Sequence, residues 1–469
     1  MMGSAKTPRR VRRAALAVLV LAQAACAEMG DGAPPALSPD VVPASWAAPG
    51  AEGLGLWPRP GWWRGFASQE LNRLIAAART ANPDLAGAAA RVAQAEARTR
   101  IAGAPLLPLV DASASADRFG RVSGSKAASD VGLSVGASYE VDFWGRNAAG
   151  LAAARAAEAA SRFDRETVAL TITAATAQSY FRILSLRERT EIARLNLANA
   201  ERVLDLVEAR ARSGAVSPLD VARQRAQVAG QRAGIPGLEN QEFAARVSLA
   251  VLLGRAPGAL AIAARDLKGI GAPAAAPGQP SALLARRPDI RRAEADLAGA
   301  SADIAAARAA FYPDIRLTGS LSSGGNAVSA LFQGTNIAYA VGASLLQTIF
   351  DAGESEGGLE LAEARKVELV HAYRAAVLAA ISDVEGALMD LDALAQEETL
   401  RGREAAEAKT AFDLAEARYR SGAEDLLSVL DAQRTLFAAQ DRLAQVRFER
   451  LSALVTLYRT LGGGWQEGP

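Results

Sequence analysis

The stretch Val131-Gly132-Leu133-Ser134-Val135-Gly136-Ala137-Ser138-Tyr139-Glu140-Val141-Asp142-Phe143 alternates apolar with small or polar residues without a break. A period of two puts every apolar side chain on one face of an extended strand. Upstream, Val110–Val122 sets Ala112, Ala114 and Ala116 against Ser113, Ser115 and Asp117, with a Gly- and Ser-containing connection over 123–130. The pair recurs later. Ile315, Leu317 and Leu321 alternate with Arg316, Thr318, Ser320 and Ser322, and then Ile337, Tyr339, Val341, Ala343 and Leu345 alternate with smaller residues. Four strands are therefore expected, at about 110–122, 131–143, 314–323 and 336–346. Lengths of about 10–13 residues suit a tilted transmembrane strand. Tyr139, Phe143, Trp144, Phe311, Tyr312 and Phe350 stand near strand ends, where a membrane–water interface favours aromatic rings. A soluble layer with one wet face gives the same alternation, so the pattern alone leaves both readings open.

The recurrence extends along the chain. Pro83-Asp84-Leu85 returns as Pro288-Asp289-Ile290, Val135-Gly136-Ala137-Ser138 as Val341-Gly342-Ala343-Ser344, Arg212-Ser213-Gly214-Ala215 as Arg420-Ser421-Gly422-Ala423, and Leu253-Gly254 as Leu461-Gly462. The order is kept and the offset drifts only from 205 to 208 residues, which marks a tandem duplication. One copy covers 66–268 and the other 281–465. The Pro/Ala/Gly stretch 269–280 reads as the linker between them.

Each copy also holds a long run without breakers. Residues 151–213 contain neither Gly nor Pro, and the matching run Leu359–Ser421 contains only Gly386 and Gly402. A continuous helix of that length would reach roughly 95 Å. Leu186, Thr190, Ala193, Leu197, Ala200, Leu204 and Val207 recur at the three-to-four spacing of a coiled-coil seam. Ile192, Leu195, Val203 and Leu206 form a second, offset set, so such a helix can pack on two neighbours, as staves do. An ordinary antiparallel coiled coil is the alternative. The 109 Ala among 469 residues, nearly a quarter of the chain, permit close approach of helices.

The N-terminus reads as an export signal over 1–25. Lys6, Arg9, Arg10, Arg12 and Arg13 precede the apolar run Ala14–Ala22, which is too short to span a bilayer. Small residues then surround the only cysteine, Cys26, a placement that resembles a lipoprotein processing site and makes Cys26 the candidate for lipidation. Gln23 stands where such sites usually have an apolar residue; ordinary cleavage after Ala24 is the alternative. Residues 26–65 are then a lipidated, extended N-terminal segment. Without residues 1–25 the charge changes from +1 to −4.

Composition removes several function classes. One Cys and one His, His371, exclude cysteine-rich zinc sites and histidine metal clusters, so no metal or other cofactor is expected. Neither copy offers a nucleophile–base pair, and the balanced charge gives no field for nucleic acid. His371 reads as a solvated or interface histidine, and the acidic pairs Glu397-Glu398 and Glu404/Glu407, near Arg, read as solvated helix faces with ion pairs. After residue 30 no apolar stretch reaches 18 residues, so no helix should cross a membrane.

If the four strands are transmembrane, they cannot close around a lumen by themselves, and an open edge cannot face lipid. Several chains must then share one barrel, and three chains give twelve strands. Helices about three times longer than a ~30 Å hydrocarbon core must project into water. The fold class expected is mainly α with transmembrane β: duplicated helical hairpins plus four strands per chain.

These residues resemble the outer-membrane efflux factors, TolC-like and of the NodT lipoprotein type. The resemblance covers nearly all of the chain after the export signal. It rests on Trp62-Trp63-Arg64-Gly65-Phe66, Asn82-Pro83-Asp84-Leu85, Tyr139 through Arg146 (Tyr-Glu-Val-Asp-Phe-Trp-Gly-Arg), Arg287-Pro288-Asp289-Ile290, Phe311-Tyr312-Pro313, Phe350-Asp351-Ala352-Gly353, and Tyr419-Arg420-Ser421-Gly422 through Leu430-Asp431-Ala432-Gln433. It implies a homotrimer with a twelve-stranded β-barrel in outer-membrane lipid and a long periplasmic α-barrel. It implies as partners a periplasmic adaptor (membrane fusion) protein and an inner-membrane efflux transporter. The function implied is the passive conduit of a tripartite drug-efflux pump of the resistance-nodulation-division type. Type I protein secretion and metal export are the alternatives within that class; a non-pore coiled-coil lipoprotein is the alternative outside it.

The candidate sites are two turns. Arg212–Asp220 and Tyr419–Asp431 are where the long helices reverse, with Gly214 and Gly422 suited to tight turns. Ser217 is a plausible N-cap ahead of Pro218, followed by Leu219 and Asp220. By resemblance, Arg212, Gly214, Ser217, Leu219, Asp220 and Gly422 belong to adaptor-docking tips. By the same resemblance Tyr419 and Asp431 match the residues of a periplasmic gate. Ser428 and Glu424 stand where some members carry Asp and Arg, so Asp425 and Ser428 are included in the gate set.

Overall fold

The structure, a computed structural model, describes residues 34–48, 57–120, 128–274 and 277–466. The expected export signal over 1–25, Cys26 and positions 121–122 of the first expected strand lie outside the described residues.

Both copies run through the same elements. In the first, α1 (Gln69–Ala81) and α2 (Pro83–Gly103) lead into β1 (Leu109–Phe119) and β2 (Ala128–Glu140). A 67-residue helix, α3 (Arg146–Arg212), and a 35-residue helix, α4 (Pro218–Leu252), complete it. In the second, α5 (Pro288–Ala309) leads into β3 (Asp314–Gly325) and β4 (Ile337–Leu346). The 68-residue α6 (Glu354–Ser421) and the 35-residue α7 (Leu426–Thr460) follow.

Strand limits differ from the expected ones for local reasons. β2 starts at Ala128 and stops at Glu140, not Phe143, although the alternation continues. Asp142 accepts hydrogen bonds from the Asn147 and Ala148 backbone N–H groups, at 2.9 and 2.8 Å, and Gly145 turns at φ 76°. Satisfying the first N–H groups of α3 thus takes Asp142 out of the strand. Asp351 does the same ahead of α6, accepting from the N–H of Ser355 at 3.0 Å. β1 begins one residue early, β3 runs two residues further to Gly325, and β4 begins one residue late.

The chain forms two compact units, and each copy contributes to both. The first comprises Gln94–Ala160 and Ala293–Tyr373 with the described residues up to Ala36; the second comprises Leu37–Ala93, Ser161–Arg292 and Arg374 onward. The first unit holds the whole sheet. In the second unit, Trp62 stacks on Tyr458 at 4.8 Å and Phe66 packs on Phe181 at 5.0 Å. Around them Leu71, Ile75, Ile183, Leu184, Leu249 and Val455 are buried in one core. Tyr180 lies in that core, and burial pushes its hydroxyl pKa up to about 12. The segment before Trp62 docks on the second copy: Ala47 and Ala48 donate to the Glu385 carboxylate at 2.7 and 3.0 Å.

The two copies place a side chain on the end of a helix at matching junctions of the second unit. Asn82, before Pro83, donates from Nδ2 to the carbonyl of Leu252, the last residue of α4, at 3.0 Å. Arg287, before Pro288, donates to the carbonyl of Thr460, the last residue of α7, at 3.0 Å. Each fills one of the carbonyls that a helix end leaves unpaired. Gly254 and Gly462 then pass at positive φ so close to the carbonyls of Ala81 and Arg286 that any Cβ would collide.

Of the seam on α3, Leu186, Thr190, Ala200 and Val207 are buried. Of the second set, Val203 is buried, Leu206 packs against the same cluster, Ile192 is half-buried and Leu195 is exposed. His371 is exposed, as a solvated helical residue should be.

Candidate functional site

The sheet is a meander of order β1-β2-β3-β4, antiparallel throughout. Its register sorts most of the side chains into an apolar and a polar face, with Ser323 on the first and Leu109 and Phe119 on the second. Ala112 faces Val135, which faces Leu321, which faces Tyr339; Ala114 faces Leu133, and Gly319 faces Val341. On the other face, Ser113 opposes Ser134, which opposes Ser322, and Asp111 opposes Gly136, which opposes Ser320. The hydroxyls of Ser113 and Ser134 hydrogen-bond at 2.8 Å, and the Asp111 carboxylate lies over Gly136.

The apolar face is uncovered. Val135, Leu321, Tyr339, Val341 and Leu345 are all exposed, and every residue of β1 and β4 is exposed along its length. A water-soluble sheet would place that face against a core. β1 and β4 each pair on one side only, which leaves two edges of unpaired backbone groups. At one end of the sheet, Trp144 stacks on Tyr312 at 4.6 Å and meets Phe143 edge-on at 4.8 Å. The Trp144 indole N–H donates to the carbonyl of Pro313 at 2.8 Å. These half-exposed rings with a polar handle form the cluster that a lipid–water boundary favours. Among the described residues, no helix is long and apolar enough to cross a membrane.

The two turns lie side by side. The first follows α3: Arg212, Ser217 and Leu219 are exposed, Asp220 is half-buried, and Gly214 turns at φ 76°. Ser217 and Asp220 form a capping box, with the Ser217 hydroxyl accepting from the Asp220 N–H and the Asp220 carboxylate accepting from the Ser217 N–H. The second follows α6, with Gly422 at φ 81°. Asp425 caps α7 by accepting from the N–H of Ser428 at 2.9 Å, and the Ser428 hydroxyl also donates to Asp425 and Glu424. These bonds from the Ser428 N–H and hydroxyl hold the Asp425 carboxyl below its ordinary pKa. Glu424 pairs with Arg418 at 3.3 Å. Asp431 is 74% exposed and pairs with Arg434 on its own helix at 3.3 Å.

Tyr419 is placed differently from the other gate candidates. It is only 2% exposed, and the guanidinium of Arg210 lies 4.5 Å from its ring centroid. Burial raises its pKa despite that cation. Arg210 also donates to the carbonyl of Arg420 at 3.2 Å, so one side chain from α3 contacts the second turn at two points. Arg210 was not singled out by sequence reasoning, because one Arg among several near a helix end carries no spacing signal.

A cleft of about 950 Å³ beside α3 and α4 is lined by Arg187, Arg194, Glu239, Glu242 and their neighbours. Its charges pair internally, Arg187 with Glu242 at 2.9 Å and Arg194 with Glu239 at 2.7 Å, and present no catalytic constellation. Among the described residues, no group of three or more His, Cys, Asp or Glu is placed to hold a metal.

Comparison with known proteins agrees with this geometry. The family profile described as outer membrane efflux protein matches residues 74–255 and 279–463, one segment in each copy. The chain is 45% identical over 418 residues to the pyoverdine export outer membrane protein OpmQ of Pseudomonas aeruginosa, covering 86% of this chain and 87% of that one. It is 43% identical over 435 residues to OpmQ of Pseudomonas putida, covering 90% and 92%. Among solved structures, the outer-membrane channel OprN superposes with a TM-score of 0.83 at 29% identity, over 93% of this chain and all of that one. The protein is a conduit and not an enzyme. It belongs to the outer membrane efflux protein family, the TolC-like outer-membrane channels.

Proposed function

We propose that three copies of this chain close a twelve-stranded barrel in the outer membrane and continue as a periplasmic helical barrel. The assembly conducts small amphiphilic cargo passively in a tripartite export system of the resistance-nodulation-division type. The observation that carries this reading is the sheet: one apolar face exposed along β1 and β4 and at Leu133, Val135, Leu317 and Leu321, with Val131, Tyr139 and Ile315 half-buried, one more polar face and two open edges. Lipid satisfies the apolar face, neighbouring copies satisfy the edges, and the Ser- and Asp-bearing face lines the lumen. Acylated Cys26 anchors each chain by its N-terminus.

The two OpmQ relatives are named for pyoverdine export, which favours a pyoverdine-like compound as the cargo. Energy comes from an inner-membrane transporter. A periplasmic adaptor reaches the turns bearing Arg212, Gly214, Ser217, Leu219, Asp220 and Gly422. Tyr419, Asp425, Ser428 and Asp431 form the resting gate. Three symmetry-related Asp431 carboxylates near the axis would repel one another and attract cations.

Reconstitution in planar bilayers tests the conduit: purified protein should give discrete conductance steps, and a silent protein would return it to the class of non-pore lipoproteins. Asp431→Ala should raise single-channel conductance; an unchanged value removes Asp431 from the gate. A deletion strain that retains pyoverdine-like cargo, with normal drug susceptibility, would separate that cargo from general drug efflux.

A further inference from the structure

The apolar seam of α7 is interrupted near the second turn. Leu426, Val429, Leu430, Leu436 and Phe437 are buried in one cluster with Phe412 and Tyr419. Gln433 falls on the same helical face, three or four residues from Val429, Leu430, Leu436 and Phe437. It is 0% exposed, and neither its Nε2 nor its Oε1 has a hydrogen-bond partner in the protein. Gln224 on α4 is equally buried, but its Nε2 donates to the carbonyl of Ala200 at 2.7 Å. The chain can therefore satisfy a buried glutamine N–H in this region, and at Gln433 it does not.

An amide with no partner destabilises the packed state, because its desolvation is not offset. Gln433 is already covered by its own chain. A docking copy or adaptor can reach it only if α7 first moves. Loosening α7 exposes the amide to water and removes the penalty.

We propose that Gln433 is a positioning residue that holds the packed second turn close in free energy to a loosened one, so that docking can open it. The inference rests on the reading of this turn as a gate. It is specific to the amide: an apolar side chain of the same length should deepen the closed state, and a carboxylate should weaken it.

Single-channel recording of wild type, Gln433→Met and Gln433→Glu tests this. The open-to-closed ratio should fall by about tenfold in Gln433→Met, the size expected from one buried amide, and rise in Gln433→Glu. Hydrogen exchange over Leu426–Phe437 should slow in Gln433→Met. An unchanged or higher open ratio in Gln433→Met, or faster exchange there, overturns the proposal. The two readings fail separately. If wild type gates and Asp431→Ala alters its conductance while Gln433→Met changes nothing, only the role of Gln433 falls. If wild type forms no pore, the gate falls, and exchange rates still judge whether Gln433 loosens α7: equal rates in wild type and Gln433→Met reject it.

Discussion

The two turns have matching backbones and different means of support. In the first, Ala215 N–H donates to Arg210 carbonyl at 2.9 Å, Gly214 N–H to Ala211, and Ser213 hydroxyl to Arg210. In the second, Ala423 N–H donates to Arg418 carbonyl at 2.9 Å, Gly422 N–H to Tyr419, and Ser421 hydroxyl to Arg418. The side chains around this shared frame differ. The first turn secures itself locally, through the Ser217–Asp220 box and Pro218 at the start of α4. The second has a single Asp425 cap and depends on tertiary contact, with buried Tyr419 where the first copy has half-buried Ala211. Duplication kept the backbone device, which needs only Gly and Ser, and divergence acted on what packs against it.

Removing the tertiary support should have the largest effect. Tyr419→Ala should cost about 3–4 kcal/mol of stability in denaturant unfolding, as truncations of buried aromatics do. A cost below about 1 kcal/mol would mean that both turns are held by their caps alone. The junctions give a second asymmetry. Arg287 is buried and serves Asp289, Asp383 and the Thr460 carbonyl together, whereas Asn82 serves Leu252 and its own helix start. Arg287→Ala should cost about 2–3 kcal/mol, moderated by its half-exposed partners, and Asn82→Ala about 1 kcal/mol. Equal costs would show that the extra charge contacts add nothing.

The caps should give the smallest effects. Ser217→Ala should cost about 1 kcal/mol, read by hydrogen exchange at the start of α4. The Asp425 cap adds a pH dependence. Its folded pKa is lowered, so its contribution is full above the ordinary carboxylate pKa and is lost as pH falls through the lowered value. Exchange at Leu426–Val429 should accelerate in that acid range, and Asp425→Asn should abolish the acceleration.

The elements were legible wherever a period was carried by many residues. Alternation revealed each strand, and runs poor in Gly and Pro revealed α3 and α6, because those patterns follow directly from backbone geometry. The internal repeat was legible down to Gly254 and Gly462. Strand ends were not, because Asp142 fits the alternation and is claimed instead by the start of α3. The role of Arg210 was hidden because it depends on a residue 209 positions away. Gln433 stood in the sequence only as the end of the Leu430–Gln433 motif, and its missing partners are a property of packing alone.

The sheet register also dictates an order of events. β1 and β2 are neighbours in sequence, and so are β3 and β4. The seam between the copies is not local: Glu140 pairs with Arg316 and Val131 with Gly325 across the whole of α3, α4 and α5. Two-stranded hairpins are marginal by themselves, and closing so long a loop is slow. A chain that has delivered only its first half holds an unfinished hairpin, and the four-stranded meander must wait for the second half to arrive.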